Sequence, residues 1–247
     1  MSFFNKFKLF NFEITLDNAE TLVNYIKSIW ANNKMPETGF RIVTFNPEML
    51  IATRQNKEFQ KSVQVADAII PDGIGLVWLL RKKGAKQVQR LAGIDLAWKL
   101  LKEAIKADLP ISLIGSTDEV LKKSIENIND KLGKANLIYA HNGFFNDSQQ
   151  AQITNVLLEI QPKFLLVAMP FIKQEIFLAD LYTKGFKGVA MGVGGSFDVW
   201  ANLVERAPVF MQKFGLEWFW RLIKQPERFQ RLMQTFIPFS KIYFLNE

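Results

Sequence analysis

One carboxylate lies where an apolar strand is expected to give way to a helix. Asp72 follows the short apolar run Ala68–Ile70 and Pro71, which has no N–H to continue a strand ladder. Gly73 and Gly75 then permit a tight turn and a close backbone approach to a ligand. Open α/β sheets bind their ligands at this carboxyl edge. Asp72 is therefore a candidate catalytic group and Gly73 a candidate substrate contact, although Asp72 could equally cap the helix that follows.

Two polar side chains mark the end of an earlier apolar run. Thr44 and Asn46 flank Phe45, so both can point to one side of a strand end and line the same cleft as Asp72. Pro47 suits the first turn of a helix, so Asn46 could instead serve only as the N-cap of that helix. The residue types leave both interpretations of Asn46 open.

A polar triplet follows a third apolar run, again at an expected strand-to-helix turn. It consists of Lys173, Gln174 and Glu175. Three polar residues at an exposed helix start would be unremarkable in isolation. Because this turn is expected on the same edge of the sheet, we include all three as candidate site residues.

A glycine-rich turn follows the last strand candidate. Gly192, Gly194 and Gly195 precede a helix, and the backbone N–H groups of such a turn can bind phosphate. The spacing differs from the dinucleotide-binding fingerprint, because Phe197 stands where the third glycine belongs. Asp198 could bind a ribose or a base edge, or could simply lie in the first turn of the helix.

Arg90 is the candidate for binding negative charge near these turns. A guanidinium is always charged and can donate two parallel hydrogen bonds to phosphate oxygens, so Arg90 could bind a diphosphate. The simpler alternative is a local surface pair with Asp95. The sequence supports either interpretation.

The composition limits the chemistry that the chain can perform. The absence of cysteine excludes disulfides, thiolate metal sites and a cysteine nucleophile, and it suits a reducing cytoplasm. A single histidine, His141, excludes a multi-histidine metal site and is expected in a turn. The net charge of +7 and the pI near 9.5 indicate an anionic partner. The first twelve residues lack the features of a signal peptide, and no apolar run approaches the roughly 18 residues that span a bilayer.

Apolar runs of strand length alternate with stretches of helical period along most of the chain. Strands are predicted at Arg41–Phe45, Ala68–Ile70, Ile111–Ile114, Asn136–Tyr139, Phe164–Ala168 and Gly188–Val193. Helices are predicted near residues 18–32, 48–64, 74–83, 94–107, 117–131, 147–160 and 174–184. This alternation predicts an α/β domain over residues 1–204, with a Rossmann-like, mostly parallel sheet flanked by helices.

Residues 205–247 are expected to form a short helical C-terminal appendage, basic and aromatic in composition, that is too small to bury its own core. Pro208 and Pro226 each fit the first turn of a helix, which predicts two short helices and a tail. Two pairs of basic residues share a helix face through their spacing: Arg221 with Lys224, and Arg228 with Arg231. The aromatic side chains could cover the sheet or enter a lipid interface, where each basic residue contributes about 1 kcal/mol near an anionic bilayer. Nothing in the sequence follows the patterns of nucleic-acid-binding modules.

Six segments in this order resemble the WecG/TagA/CpsF family of bacterial glycosyltransferases, over roughly residues 40–235. They are Thr44–Leu50, Ala66–Gly75, Arg90–Leu96, Lys173–Glu175, Gly192–Asp198 and Arg206–Trp218. The resemblance implies inverting transfer of a sugar from a UDP-sugar donor to a polyprenyl-diphosphate-linked saccharide acceptor, for cell-surface polysaccharide synthesis. It implies N-acetylmannosamine, its uronic acid or glucose as the sugar. It also implies a cytoplasmic protein held peripherally on the anionic inner face of the cell membrane.

The same resemblance implies roles for the candidate residues. Asp72 would be the general base, Thr44 and Gln174 would shape the active site, and Asn46 and Arg90 would contact substrate. The remaining implied substrate contacts are Gly73, Lys173, Glu175, Gly192, Gly194, Gly195 and Asp198, of which the glycine turn and Asp198 would hold the UDP. The appendage arginines would reach the active site and the lipid diphosphate: Arg221, Arg228 and Arg231. No cofactor is expected, and because the chain has no Asp-x-Asp pair we expect no metal.

The chain departs from the family pattern just before the polar triplet. The family usually has a glycine and a proline there, whereas this chain has Met169–Ile172, and the bulky Phe171 and Ile172 beside Pro170 are expected to reshape the wall of the donor pocket. Two other function classes fit parts of the sequence. One is a nicotinamide-dependent Rossmann-type enzyme, and the other is a non-catalytic basic protein that binds lipid or nucleic acid. Away from a membrane the exposed aromatic residues would favour a homo-oligomer.

Overall fold

The computed structural model describes residues 3–32 and 36–245. The strands within them are β1 (Lys6–Leu9), β2 (Phe12–Thr15), β3 (Phe40–Phe45), β4 (Ala68–Pro71), β5 (Ile111–Gly115), β6 (Leu137–His141), β7 (Phe164–Ala168) and β8 (Val189–Gly192). They form one sheet in the order β1-β2-β4-β3-β8-β7-β5-β6. The β1–β2 hairpin is antiparallel, and every other neighbouring pair in this order is parallel. The predicted α/β fold is therefore confirmed.

Helices cover both faces of this sheet. Those of the predicted α/β domain are α1 (Ala19–Ala31), α2 (Pro47–Gln55), α3 (Lys57–Gln64), α4 (Ile74–Lys82), α5 (Gly93–Lys106), α6 (Asp118–Leu132), α7 (Asp147–Ile160), α8 (Phe171–Thr183) and α9 (Ser196–Trp200). Each helical region predicted between residues 18 and 184 contains a helix. Asparagine or threonine side chains cap the first turns of α1, α2, α3, α6 and α7, which explains why those helices begin where they do.

Within the first 64 residues the structure differs from the predictions in two places. The β1–β2 hairpin was missed because its strands have only four residues each, although both alternate polar and apolar residues. The predicted helix over 48–64 is two helices that break at Asn56. The Asn56 side chain accepts a hydrogen bond from the Phe59 N–H at 2.9 Å, so it ends α2 and caps α3 at once.

The strand period of two places successive side chains in different cores. Ile42 is buried in the core that also contains Leu100 of α5, whereas the next residue, Val43, is buried with Leu79 of α4 on the opposite face. Strands buried on both faces read as continuous apolar runs, which is why they were recognisable in the sequence.

The C-terminal segment contains more helix than predicted. It forms α10 (Val209–Lys213), α11 (Glu217–Lys224), a 3₁₀ turn (Pro226–Arg228) and α12 (Phe229–Leu245), so the expected tail is a helix of 17 residues. Ile242 of α12 is only 2% exposed and belongs to the core beside α2 and α4. The appendage thus buries apolar surface against the main domain. In the described part of the chain, no helix combines the length and the apolar character that crossing a membrane requires.

Candidate active site at the carboxyl edge of the sheet

The carboxyl ends of four adjacent strands, β4, β3, β8 and β7, form the edge where most predicted site residues meet. Thr44 on β3 pairs in register with Ile70 on β4, so Thr44 and Asp72 lie near the same point of this edge. The Thr44 hydroxyl donates to the Gly192 carbonyl on β8 through a long hydrogen bond of 3.4 Å. Residues that are far apart in the sequence are brought together because parallel strands share one carboxyl edge.

Asp72 does not cap the helix that follows it. Helix α4 begins after Gly73, whose φ is +91°, and within the described residues no side chain caps that helix. The Asp72 carboxylate instead accepts a hydrogen bond from the Gly93 N–H, 3.3 Å away, in the first turn of α5. The backbone N–H of Asp72 donates to the Phe45 carbonyl at 2.8 Å and holds the loop against β3. The capping alternative for α4 is therefore wrong.

The electrostatic surroundings of Asp72 suit a group that accepts a proton. Burial raises the pKa of the Asp72 carboxyl above its usual value. The positive charge of Arg90, the Gly93 N–H and the positive charge of Arg221 oppose this rise, while the negative charge of Glu217 adds to it. A carboxylate with a raised pKa binds a proton more readily, as a general base must. Arg221 belongs to the appendage, and its predicted contact with the lipid diphosphate stays a prediction.

Gly93 is a site residue that the sequence reasoning missed. A Cβ at this position would lie 2.5 Å from the Thr44 Cγ2 and 3.3 Å from the Asp72 Oδ2. The absence of a side chain therefore allows α5 to start directly against the two candidate catalytic groups. The available signal was a glycine at a helix start immediately after the arginine-containing loop.

Asn46 is the N-cap of α2, as one of its two interpretations predicted. Its side-chain oxygen accepts a hydrogen bond from the Met49 N–H at 2.9 Å. This contact fixes the start of α2 at the edge of the site. A contact between Asn46 and substrate stays a prediction.

The polar triplet divides into three environments. Lys173 is exposed, Gln174 is 2% exposed and Glu175 is completely buried. The Gln174 Oε1 accepts a hydrogen bond from the Gly194 N–H at 2.9 Å, and its Nε2 donates to the Glu175 Oε1 at 2.9 Å. Burial raises the pKa of Glu175, which the charge of Arg41, 3.9 Å away, opposes. Glu175 is therefore inaccessible to a substrate in this conformation. Its carboxylate holds Gln174 in place by accepting a hydrogen bond from the Gln174 amide.

Two backbone N–H groups of the glycine turn after β8 already donate to acceptors within the protein, unlike those of a turn that is free to bind phosphate. The Val193 N–H donates to the Val167 carbonyl at 2.8 Å, and the Gly194 N–H donates to Gln174. Gly195 is exposed, and Asp198 lies in the first turn of the short helix α9. In this conformation the turn is braced against β7 and α8, so those two N–H groups are not available to a phosphate.

Gly192→Ala should disturb this brace. A Cβ on Gly192 would overlap the Gln174 amide nitrogen and the Glu175 carboxylate oxygen, both buried. We expect a loss of about 1–3 kcal/mol in the free energy of unfolding, the usual cost of overpacking, measured by denaturant titration. Gly195→Ala is the matched control in the same turn, because its Cβ would lie at an ordinary 3.5 Å from Asp198. An equal loss in both variants would contradict the brace.

The segment Met169–Ile172, where the chain departs from the family pattern, does not line an open pocket. Phe171 and Ile172 begin α8 one turn earlier than predicted and pack against the core beside α2 and α4. The Phe171 ring lies 5.5 Å from the ring of Phe59, whereas Pro170 is exposed. Pro170 is therefore the residue of this segment that we expect to affect the donor pocket most.

Arg90 does not pair with Asp95, so the predicted surface pair is wrong. Arg90 forms an ion pair with Glu217 of α11, and its Nη1 donates to the Gln212 carbonyl at 3.0 Å. Asp95 pairs with Arg206 instead, at 2.5 and 2.7 Å. Local sequence patterns could not predict the pairs Arg90–Glu217 and Asp95–Arg206, because each joins segments more than 100 residues apart.

A cleft of about 400 Å³ lies beside this network, where α4 and α5 face the appendage. Its charged lining consists of Arg90, Asp95, Lys99, Arg206 and Lys213. Four of these five side chains are cationic, so the cleft suits an anionic group. The side chains of Arg228 and Arg231 lie outside the described part of the structure, and their predicted roles stay predictions.

Within residues 3–32 and 36–245, no three carboxylate or imidazole side chains are grouped so as to hold a metal ion. His141 ends β6 at the far edge of the sheet, where its Nδ1 lies 2.8 Å from the Asn142 carbonyl oxygen. It therefore lies at the end of the outermost strand, with β3, β8, β7 and β5 between it and the strand that leads to Asp72.

Comparison with known proteins identifies the family of this chain. The model of the glycosyl transferase WecG/TagA/CpsF family matches residues 7–246. The N-acetylglucosaminyldiphosphoundecaprenol N-acetyl-beta-D-mannosaminyltransferase of Bacillus spizizenii is 32% identical over 195 residues, which cover 79% of this chain and 75% of that protein. The family match spans the four strand ends and α5, where the candidate residues meet. The chain therefore belongs to the WecG/TagA/CpsF family of glycosyltransferases.

Proposed function

We propose that this glycosyltransferase moves N-acetylmannosamine from a UDP-sugar to a polyprenyl-diphosphate-linked N-acetylglucosamine. The observation that carries the proposed chemistry is the half-buried carboxylate of Asp72 at the strand ends, which accepts a hydrogen bond from the Gly93 N–H and is influenced by the positive charges of Arg90 and Arg221. The printed name of the Bacillus relative supports the sugar and the acceptor. Membership of a glycosyltransferase family replaces the two alternatives raised from the sequence, a nicotinamide enzyme and a non-catalytic basic protein.

In the proposed reaction an acceptor hydroxyl attacks the anomeric carbon of the donor from the face opposite UDP. Asp72 takes the hydroxyl proton as the new glycosidic bond forms and the bond from the anomeric carbon to the diphosphate oxygen breaks. UDP leaves with that electron pair, and Arg90 and Arg221 stabilise the negative charge that develops. One displacement inverts the anomeric configuration without a covalent intermediate. Further proposed contacts to the two substrates are Thr44, Asn46, Gly73, Gln174, Lys173, Gly192, Gly195 and Asp198.

The same charges lead us to propose that transfer needs no metal. Arg90 and Arg221 already provide positive charge near Asp72, and Lys99, Arg206 and Lys213 line the adjacent cleft. Cationic side chains can replace a divalent ion at a leaving diphosphate when they are fixed in place.

The test is a transfer assay with a panel of UDP-sugars and a polyprenyl-diphosphate-N-acetylglucosamine acceptor, run with and without a chelator. We expect UDP-N-acetylmannosamine to be the best donor, with UDP-N-acetylmannosaminuronic acid and UDP-glucose as the competitors. The rate should be unchanged by the chelator. Transfer that stops with chelator and returns with magnesium or manganese would refute metal independence, and no transfer from any donor would refute the function.

We also propose that the appendage attaches the protein to the inner face of the cell membrane. Large apolar side chains of this segment are exposed, among them Val209, Phe210, Phe214, Trp218, Phe219, Ile223, Phe229, Phe236, Ile237 and Phe244. Exposed aromatic groups beside basic residues are typical of surfaces that enter a lipid interface. The net charge of +7 favours an anionic bilayer.

Phe210→Ser with Phe214→Ser should weaken binding to anionic vesicles by more than about tenfold, since each phenyl group buried in lipid contributes roughly 1.5–3 kcal/mol. The two side chains are 61% and 72% exposed and share a helix face. Phe144→Ser is the matched control, because Phe144 is 74% exposed in the loop after β6. Vesicle flotation measures the effect. Equal flotation of the double variant and the wild type would contradict membrane attachment through this surface.

A further inference from the structure

Four charged side chains connect the C-terminal helices to the start of α5. Arg206 pairs with Asp95 through two contacts of 2.5 and 2.7 Å. The Arg206 Nε lies 3.3 Å from one carboxylate oxygen of Glu217, and the other oxygen pairs with Arg90. Glu217 is only 8% exposed, so the two arginines compensate its charge in place of water.

Arg90 depends on the appendage for its orientation. Its two terminal nitrogens contact the Gln212 carbonyl and the Glu217 carboxylate. Its Nε is buried and has no hydrogen-bond partner among the described residues. The loop that carries Arg90 therefore supplies the guanidinium, while α10 and α11 hold it in place.

We propose that Glu217 is a positioning residue of the transfer reaction, whose carboxylate holds Arg90 beside Asp72 and makes that placement depend on the docking of α11. The inference rests on the proposed function and adds a residue that the reaction scheme does not contain. Because Arg206 holds the second oxygen, the carboxylate is fixed from both sides and can orient Arg90 in one direction.

Glu217 also acts on Asp72 through its charge. The groups that shift the pKa of the Asp72 carboxyl, besides its burial, are Arg90, the Gly93 N–H, Arg221 and Glu217. In Glu217→Gln the Gln212 carbonyl still accepts from Arg90, so the guanidinium stays near Asp72 with a less fixed orientation. The opposing negative charge of Glu217 is lost, so the pKa of Asp72 should fall. A general base works only when ionised. The acidic limb of the pH–rate profile should therefore move to lower pH when that charge is removed.

The experiment compares Glu217→Gln with Asp95→Asn in the full-length protein, using detergent-dispersed acceptor. Both variants replace one carboxylate of the same ion-pair chain by an amide. We expect Glu217→Gln to shift the acidic limb of kcat/KM to lower pH and to reduce the plateau roughly tenfold, since the ion pair that orients Arg90 becomes a weaker hydrogen bond to a neutral amide. Asp95→Asn should leave the limb in place, because Asp95 is not among the groups that shift the pKa of Asp72. An unmoved limb in Glu217→Gln, or an equal shift in both variants, would overturn the proposal.

Two further measurements keep the test decisive if Glu217→Gln folds poorly or turns over too slowly. Glu217→Asp keeps the charge on a shorter side chain, so it should lower the plateau with the limb in place, and a shifted limb would count against us. The titration of the Asp72 carboxyl can also be followed by carbon NMR without turnover, assigned with Asp72→Asn. If the Asp72 signal titrates identically in the wild type and Glu217→Gln, the proposed charge coupling is wrong. Transfer by the wild type in the same assay tests the proposed function separately.

Discussion

Asp72→Asn is expected to lower kcat for sugar transfer by about 10²–10⁴-fold, the contribution that a positioned general base typically makes. The amide keeps the size of the side chain and can still accept a hydrogen bond from the Gly93 N–H. It cannot take a proton from the acceptor hydroxyl. Initial rates at saturating donor and acceptor measure the loss.

Asp130→Asn is the control, because Asp130 is an exposed aspartate of α6 and the chemical change is identical. It should retain the wild-type rate. Residual activity of Asp72→Asn within about threefold of the wild type would remove Asp72 from the role of base, since a general base contributes far more than that.

Asp72→Asn should be at least as stable as the wild type at neutral pH. The pKa of Asp72 is raised in the folded protein, mainly by burial, so the ionised carboxylate is less favourable there than in the unfolded chain. This destabilisation is present above the folded pKa and disappears as the pH falls below the unfolded pKa. The advantage of Asp72→Asn in Tm should therefore be largest at neutral pH and vanish in acid. A variant that is less stable at neutral pH would contradict the direction of this shift.

The arrangement of strand ends could be predicted from the sequence, because the physical signal is local. Ala68–Ile70 and Phe164–Ala168 are buried on both faces and therefore read as continuous apolar runs. Once they are placed in a parallel sheet, Asp72 and Thr44 must leave at one edge, and the register of β3 with β4 confirms this. The role of Asp72 as the base rests on the resemblance and stays a prediction.

The contacts that support the site could not be predicted, because they join distant segments. Nothing near Glu175 in the sequence indicates that Arg41, on β3, would lie beneath it. Nor does the segment around Arg90 indicate Glu217 as its partner. Local patterns also fail where one residue serves two elements, as Asn56 does between α2 and α3. Sequence periodicity places elements, whereas these pairings depend on tertiary packing.

The appendage also shows how far its structure could be predicted from the sequence. Its composition suggested exposed aromatic groups, and many are exposed, but Ile242 and Phe239 of α12 pack against the core of the main domain. A helix whose apolar residues serve both a core and an exposed surface has no single apolar face in the sequence. This double use is consistent with an appendage that docks on the enzyme and presents its other side to lipid.

Arg90→Lys is expected to reduce kcat/KM by about 10²-fold or more, equivalent to about 2.7 kcal/mol. An ammonium group keeps the positive charge but cannot contact the Gln212 carbonyl and the Glu217 carboxylate in the two directions that the guanidinium does. Arg81→Lys is the matched control, because Arg81 also donates to a backbone carbonyl, that of Val88, but from the far end of α4. Its activity should stay close to that of the wild type.

The pH dependence of kcat/KM distinguishes the effect of the charge of Arg90 from the effect of its orientation. The positive charge of Arg90 opposes the rise in the pKa of Asp72, so Arg90→Ala should move the acidic limb to higher pH, whereas Arg90→Lys should leave it nearly in place. Glu217→Gln should move the same limb in the opposite direction. If Arg90→Lys were as active as the wild type, the charge alone would suffice and Glu217 would have nothing to orient. A loss of rate in Arg90→Lys with an unmoved limb would show that the fixed guanidinium itself contributes to transfer.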